Sequence, residues 1–181
     1  MDATVEAALR KWPNVPFCYG WLGLDGRGDW YLRDQRAQAA GAFVHSKGSL
    51  IRHVGLREFI GRNYASDDSG CWYFQNGPQR VYVELELAPW VWRLAARGDR
   101  VAIESHTGIA ASFESGWVDE EGHLFIATGL GLGLVHSLDM LHAATAIESG
   151  AWPIADAPLA SVARRFGYVL SPAALTDKRL R

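Results

Sequence analysis

Apolar residues occupy every second position from residue 81 to residue 87, with Tyr and Glu side chains between them. A period of two predicts a β-strand with one buried face and one face in solvent. Four apolar residues and Gln75, at positions 71–75, precede this strand, and Asn76 and Gly77 supply a turn between the two segments. The pattern therefore predicts an antiparallel hairpin.

Short apolar segments separated by turns rich in glycine and aspartate predict further strands. Two more hairpins are expected, one from residues 21–24 and 29–33 and one from residues 113–118 and 123–128. The polar and small residues 35–40 predict a loop or a frayed turn. Shorter strands are predicted at residues 43–45, 50–54, 100–104 and 130–135.

Apolar residues spaced three and four positions apart predict helices. In the helix after Ser137, Leu138, Leu141 and Thr145 are expected to face inward, and Ser137 is the expected N-cap. The predicted helices are a segment before Pro13, residues 55–63, the segment after Ser137, a segment from Asp156 to Gly167, and a last one that opens at Ser171.

This order of elements predicts an α+β fold of mainly antiparallel strands, in two curled half-barrel-like sheets that each pack on a helix. The expected halves are residues 1–95 and 96–181, the second with the terminal helices, as two units or as one compact domain. A Trp-containing strand, a turn and a second strand recur at residues 21–32 and 117–126, which raises the hypothesis of an internal repeat.

Composition excludes several classes of protein. Of the 181 residues, 49% are hydrophobic and 21% charged, so the chain can bury a full core without disulfides. Eighteen basic and twenty acidic residues give a net charge of -2, which predicts no nucleic-acid partner. The start lacks a signal-peptide pattern, and no apolar segment reaches the roughly 18 residues of a membrane span. We therefore expect a cytoplasmic protein without membrane contact, with Cys18 and Cys71 as reduced thiols.

One stretch of the chain resembles a known family. Residues 28–31 read GDWY, residues 56–60 carry a helix pattern, and residues 72–89 read WYFQNGPQRVYVELELAP. This stretch resembles the bacterial domain-of-unknown-function 1285 family, whose members carry a DGRWY strand, a helix and a hairpin ending in a VE-x-AP pattern. Residues 75–80 replace the TPVEK sequence typical of that family. The resemblance implies a bacterial protein with two half-barrel-like β units, each curled around a helix, and it implies no activity.

Aromatic residues are dense, with eight Trp, six Tyr and seven Phe. Aromatic side chains suit strands, so packing in the core is one interpretation. The other is an aromatic-lined pocket or interface, where Trp and Arg are favoured anchors. We place this predicted binding surface at Trp72, Tyr73, Tyr82, Trp90 and Trp92, the last two on one strand face.

The leading hypothesis is a non-enzymatic ligand- or protein-binding or regulatory module, for a small molecule or protein of unknown identity. A homodimer through the same tryptophans is a further alternative.

The alternative enzymatic hypothesis is a cysteine-dependent hydrolase that uses Cys18 and His53. Residues 53–56 read HVGL and are similar to the HVGI strand of NlpC-type cell-wall amidases. A nucleophilic cysteine is expected at a helix N-terminus, where its pKa would fall. Cys18 instead precedes strands and glycines, so we favour a small buried thiol and a structural histidine.

The remaining motifs favour structural roles, and neither a metal nor a cofactor is predicted. The six histidines lack the spacing of metal ligands. Residues 129–133 read GLGLG, which lacks the spacing of a phosphate-binding loop and predicts a strand that another backbone approaches closely. Glu84 and Glu86 share one strand face and are expected to be solvated there.

Overall fold

The computed structural model describes residues 1–98 and 100–179. The strands in these residues are β1 (Cys18–Leu24), β2 (Trp30–Leu32), β3 (Ser49–Leu50), β4 (Tyr64–Ser66), β5 (Trp72–Asn76), β6 (Gln79–Leu85), β7 (Trp90–Arg97), β8 (Arg100–Ser105), β9 (Ala110–Ala111), β10 (Ser115–Val118), β11 (Leu124–Thr128), β12 (Gly131–Val135) and β13 (Ile154–Asp156). The α-helices are α1 (Ala3–Lys11), α2 (Gln35–Ala39), α3 (Val54–Arg62), α4 (Met140–Glu148), α5 (Leu159–Phe166) and α6 (Pro172–Arg179), and a 3-10 helix (Ser137–Asp139) precedes α4.

The chain divides into two compact units, and neither is one continuous stretch of sequence. The first unit comprises Met1–Asp25, Asp29–Glu86 and Tyr168–Arg181, and the second comprises Gly26–Gly28 and Leu87–Gly167. Helix α6 therefore belongs to the unit that the N-terminal half of the chain builds.

Each unit contains one open, mixed sheet that is mainly antiparallel. In the first unit the strand order is β3-β2-β1-β6-β5-β4, with β1 and β6 parallel. In the second unit the order is β13-β10-β11-β12-β7-β8-β9, with β7 parallel to β12 and β10 parallel to β13. The predicted α+β class with two half-barrel-like sheets is confirmed.

The two sheets repeat one topology. Strands β1 to β6 and strands β7 to β12 follow the same order, with a parallel pair at the centre and antiparallel neighbours on both sides. Strand β1 thus corresponds to β7, and the hairpin β4–β5 corresponds to β10–β11. The sequence echo instead matched β1–β2 with β10–β11, so the repeat exists at the level of topology but the predicted correspondence is wrong.

The same five-residue turn recurs in both units. The first residue donates its backbone N–H to the carbonyl of the fifth, and its side-chain oxygen accepts the fifth residue's N–H. A glycine with positive φ holds the fourth position, as in three-residue hairpin loops with a bulge. The turns begin at Asp25, Asp67, Ser105 and Asp119.

Several local predictions are wrong. Residues 43–45 form a turn instead of a strand, and residues 35–39 form helix α2, whose N-cap Asp34 accepts the N–H of Ala37. The strand β6 has no wet face along its C-terminal part, because Tyr82 and Glu84 are buried like their neighbours. The predicted hairpins and the helices at residues 55–63 and from Ser171 are confirmed, with bounds shifted by one to three residues.

The orientation predicted for α4 is also wrong. Leu138 and Leu141 are each 78% exposed, whereas Ala143 and Ala146 are buried. His136 is the N-cap of the 3-10 helix before α4, where its Nδ1 accepts the N–H of Leu138, and Ser137 is the first residue of that helix instead of the cap. No helix within residues 1–98 and 100–179 is long and apolar enough to span a bilayer.

Candidate functional site

Trp90 and Trp92 lie in the second unit as neighbouring, stacked rings on strand β7. Their ring centroids are 6.0 Å apart, which confirms that the two side chains share a face. Both are buried, and their indole N–H groups donate to the carbonyls of Leu130 and Ile126 at 2.9 Å. A binding role for these two residues stays a prediction.

The same rings explain the GLGLG sequence at residues 129–133. The Cβ that an alanine would add at Gly133 would lie 2.6 Å from Cε2 of Trp92 and 2.7 Å from Cβ of Trp90. The predicted close approach to this strand is therefore made by tryptophan side chains and not by another backbone. The segment is a strand, β12, as predicted.

Trp72, Tyr73 and Tyr82 lie in the first unit, but they do not form one surface. Tyr73 and Tyr82 are direct cross-strand partners on β5 and β6, so their side chains share a face. Trp72 precedes Tyr73 on β5 and points to the opposite face, where its ring contacts Tyr64 at 4.8 Å. The structure thus brings four of the five predicted residues together in two pairs, Tyr73 with Tyr82 in the first unit and Trp90 with Trp92 in the second.

Tyr73 and Tyr82 belong to a larger aromatic cluster. Tyr19 of β1 stacks on Tyr82 with a centroid distance of 4.6 Å and an interplanar angle of 2°. Tyr73 and Phe17 both contact Tyr82 edge-on at 5.8 Å. Such pairs contribute about 0.5–1.5 kcal/mol each beyond the area they bury, so the rings hold one another in fixed orientations.

Arg80 lies across this cluster and gives it a positive charge. Its guanidinium is 4.5 Å from the centroid of the Tyr73 ring and 5.6 Å from that of Phe17. Partial burial lowers the pKa of Arg80, but its interaction with the Tyr82 hydroxyl and with neighbouring groups raises it overall, so the guanidinium stays charged. Arg80 and Tyr19 are half-buried, and Phe17 is 51% exposed, so the cluster reaches the protein surface. We call Phe17, Tyr19, Tyr73, Arg80 and Tyr82 the aromatic–arginine surface.

The base of this surface is fixed by Asp67 and by helix α6. The Tyr82 hydroxyl donates to Oδ2 of Asp67 at 2.8 Å. Burial and this hydrogen bond raise the pKa of Tyr82 well above its ordinary value, so its hydroxyl stays protonated at neutral pH. Val169 and Leu175, near and within α6, pack against the buried rings.

A second cluster in the first unit contains three charges. Lys47 Nζ lies 3.0 Å from Oε2 of Glu86 and 3.3 Å from Oδ2 of the buried Asp25. Partial burial lowers the pKa of Lys47, but the two carboxylates outweigh it and the net shift is upward. The amine therefore stays protonated and is no nucleophile, and it ties the segment around residue 47 to the ends of β1 and β6.

Strand β6 also carries Glu84, which is buried and not solvated as predicted. Its carboxylate accepts the Ser171 hydroxyl and the backbone N–H of Ala173 at the start of α6. A carboxylate at a helix N-terminus stabilises that end of the helix. Glu84 thus acts as a structural anchor, and no acid–base pair forms with Glu86.

Cys18 and His53 show none of the features of a catalytic pair. Cys18 begins strand β1, and burial raises the pKa of its thiol. His53 is the N-cap of α3, where its Nδ1 accepts the N–H of Leu56 at 3.1 Å. Among the described residues no hydrogen bond joins the two side chains, and neither Cys18 nor Cys71 forms a disulfide.

No group of three His, Cys, Asp or Glu side chains in the described part of the chain could hold a metal ion.

The sequence analysis missed Phe17, Tyr19 and Arg80 as members of the aromatic–arginine surface. Arg80 could have been found, because it lies two positions from Tyr82 and therefore on the same strand face.

Comparison with known proteins adds a family and one solved structure. Residues 1–173 match the model of a family described as "Protein of unknown function (DUF2946)". The fold is similar to the crystal structure of a DUF1285 family protein from Silicibacter pomeroyi DSS-3, with 15% sequence identity and a TM-score of 0.49. The match covers 79% of this chain and 83% of that one. This is the family that residues 20–90 resemble. None of the curated proteins compared with the chain matches it.

Proposed function

The chain belongs to the family described as "Protein of unknown function (DUF2946)", and we propose that it is a non-enzymatic binding module whose ligand or partner contacts the aromatic–arginine surface. One observation carries the proposal. A half-buried guanidinium is held between aromatic rings at the surface, next to a Phe17 ring that is 51% exposed. Aromatic and arginine side chains are the residue types that most often dominate binding energy.

The geometry supports binding because the surface is preorganised. Tyr19, Tyr73 and Tyr82 constrain one another by ring contacts, and Asp67 fixes the Tyr82 hydroxyl. A ligand that contacts such rings loses little protein side-chain entropy, since those side chains are already ordered. The exposed face of Phe17 and the guanidinium of Arg80 favour a ring-bearing ligand, through stacking and cation–π contact.

A module without catalysis fits the chemistry of the neighbouring groups. The Cys18 thiol has a raised pKa, and the Lys47 amine is held protonated by Asp25 and Glu86. The Tyr82 hydroxyl is engaged by Asp67 and Arg80. The hydrolase alternative would need an activated Cys18 thiolate, which an upward pKa shift disfavours.

Two variants and one matched control test the proposal. Phe17→Ala removes the exposed ring, and Arg80→Gln removes the charge. Trp12→Ala is the control, because Trp12 is also 51% exposed and also lies beside a cation, with Lys11 Nζ 4.4 Å from its ring centroid. A panel of aromatic and heteroaromatic small molecules is screened by saturation-transfer NMR, and sedimentation velocity measures whether a second copy is the partner.

We expect binders from the panel, or a concentration-dependent dimer, to lose about tenfold or more in affinity in Phe17→Ala and Arg80→Gln. Trp12→Ala should bind as the wild type does. Binding or self-association that survives both variants would locate the interface elsewhere. A monomer that binds nothing in the panel would contradict the proposal as well.

A further inference from the structure

A separate groove in the second unit lies between helix α4 and the end of the β7–β8 hairpin. Its volume is about 440 Å³, within the range of small-molecule sites. The groove exists because the facing side chains are short. Ala96 pairs with Val101 across the hairpin, and Ala146 faces them from α4. We call this cavity the α4 groove.

Hydrogen-bond donors gather around the α4 groove. Arg100 and His142 both line it, and neither makes a side-chain hydrogen bond or ion pair among the described residues. Thr145 and Ser149 also line it, but their hydroxyls donate to carbonyls of their own helix. The donors that remain for a ligand are therefore those of basic side chains.

Trp152 adds a third donor and an aromatic wall. This residue is only 7% exposed, and its ring stacks on Phe113 at 4.9 Å. No hydrogen bond among the described residues engages the Trp152 indole N–H, and this group is not one of the buried polar atoms without a partner. It is therefore accessible as a donor to a ligand, unlike the indole N–H groups of Trp90 and Trp92, which donate to backbone carbonyls.

Among the described residues that line the α4 groove, the formal charge has one sign. None of them carries a carboxylate, whereas Arg100 contributes a guanidinium and the His142 ring can donate a hydrogen bond. The remaining walls, at Ala96, Val101 and Ala146, are apolar. A ligand that complements both features has a negative group at one end and a small apolar body at the other.

We propose that the α4 groove binds a small organic carboxylate. The carboxylate group accepts hydrogen bonds from Arg100 and His142, with the Arg100 fork suited to two parallel bonds. The apolar body lies between the alanine walls and the Trp152 ring. This site involves other residues than the aromatic–arginine surface, so it stands independently of the proposed function.

The test is an NMR titration with benzoate as the probe and benzamide as its neutral isostere. The readout is the indole N–H cross-peak of Trp152, which is assigned by its loss in Trp152→Phe. We expect benzoate to shift this peak and to bind at least about tenfold more tightly than benzamide. Equal affinity for the two probes, or no shift of this peak at about 10 mM benzoate, would overturn the proposal.

Variants separate a built site from general attraction to positive charge. Arg100→Gln should weaken benzoate binding by about tenfold. Arg97→Gln is the matched control, since Arg97 is the cross-strand partner of Arg100 but does not line the α4 groove. An equal loss in both variants would mean nonspecific attraction and refute the site. Ala96→Leu fills the groove from an exposed strand position and should abolish binding without loss of the folded spectrum.

Discussion

His106 is held neutral by its surroundings. It follows strand β8, its Nδ1 accepts the backbone N–H of Val91 at 3.3 Å, and its Nε2 is enclosed by protein. The ring also lies 5.7 Å from that of Trp90. Burial lowers the pKa of His106 to about 3. Because an unfolded histidine titrates near 6.5, this residue couples folding to pH.

We predict that His106 destabilises the protein in acid. Above about pH 7.5 the residue is neutral in both states and has no effect. As pH falls from 6.5 toward 3, the unfolded chain binds a proton that the folded ring cannot, so stability falls by up to about 1.4 kcal/mol per pH unit. Urea unfolding at pH 7, 6 and 5 measures this slope. His106→Asn can still accept the backbone N–H of Val91 but cannot be protonated. The free energy of unfolding of this variant should therefore depend less steeply on pH, because one proton fewer is bound on unfolding.

The comparison contains its own control, because the stability difference between wild type and His106→Asn should be constant above about pH 7.5. Curves that stay parallel down to pH 5 would show that the folded ring accepts the proton freely. That result would contradict the enclosure of Nε2.

At the scale of elements, Gly133 of β12 is a requirement of the tryptophans on β7. Trp92 is fully buried and its indole N–H is bonded to the carbonyl of Ile126, so its ring cannot move aside. A Cβ at Gly133 would overlap Trp92 Nε1 and Cε2. A glycine in a strand that makes room for a neighbouring group is therefore part of the packing.

We predict that Gly133→Ala destabilises the protein by about 1–3 kcal/mol, the usual cost of an overpacked core. Gly129→Ala is the matched control from the turn between β11 and β12. Its φ is not positive, and its added Cβ would meet only Glu114 Oε1, at 3.6 Å. Chemical denaturation should show a lower midpoint for Gly133→Ala and a change within about 0.5 kcal/mol for Gly129→Ala. Equal effects of the two substitutions would mean that the Trp92 ring moves to accommodate the added Cβ, which would contradict the prediction.

Local patterns predicted the hairpins and most helices, because turn chemistry and period-two alternation are written in adjacent residues. They failed where a distant contact decides the outcome. Phe43 lies in a turn because its ring packs against Gly23 of strand β1. The segment before α4 is oriented by Asp139, whose carboxylate accepts from Arg93 and from the backbone N–H of Leu94. This contact accompanies the outward placement of Leu138.

The candidate site was predictable only in part for the same reason. Tyr73 and Tyr82 follow from one hairpin, and their pairing can be read from its register. Tyr19 reaches them because β1 lies parallel to β6, a pairing between strands about 60 residues apart that no local pattern reports. Trp72 was grouped with them by residue type, although alternation along a strand sends it to the other face.

At the scale of the whole molecule, the chain returns to its first unit only at its end. The backbone N–H of Val169 donates to the carbonyl of Gly70, and Leu170 accepts from Leu85. Glu84 then accepts from Ser171 and from Ala173, at the start of α6. The C-terminal segment thus packs against the rings of the first unit, although residues 87–167, which precede it in the sequence, belong to the second unit.

We predict that Glu84→Gln loosens this closure. The variant removes the charge that stabilises the N-terminus of α6, at a cost of about 1 kcal/mol, which raises local opening about fivefold. Cys71, buried beside Val169, reports the opening through its reaction with a disulfide reagent in a Cys18→Ala background, where it is the sole thiol. Glu86→Gln is the control from the same strand face, since Glu86 binds Lys47 instead of α6. Cys71 should react about fivefold faster in Glu84→Gln and at the unaltered rate in Glu86→Gln; equal rates would show that α6 is held by its apolar contacts alone.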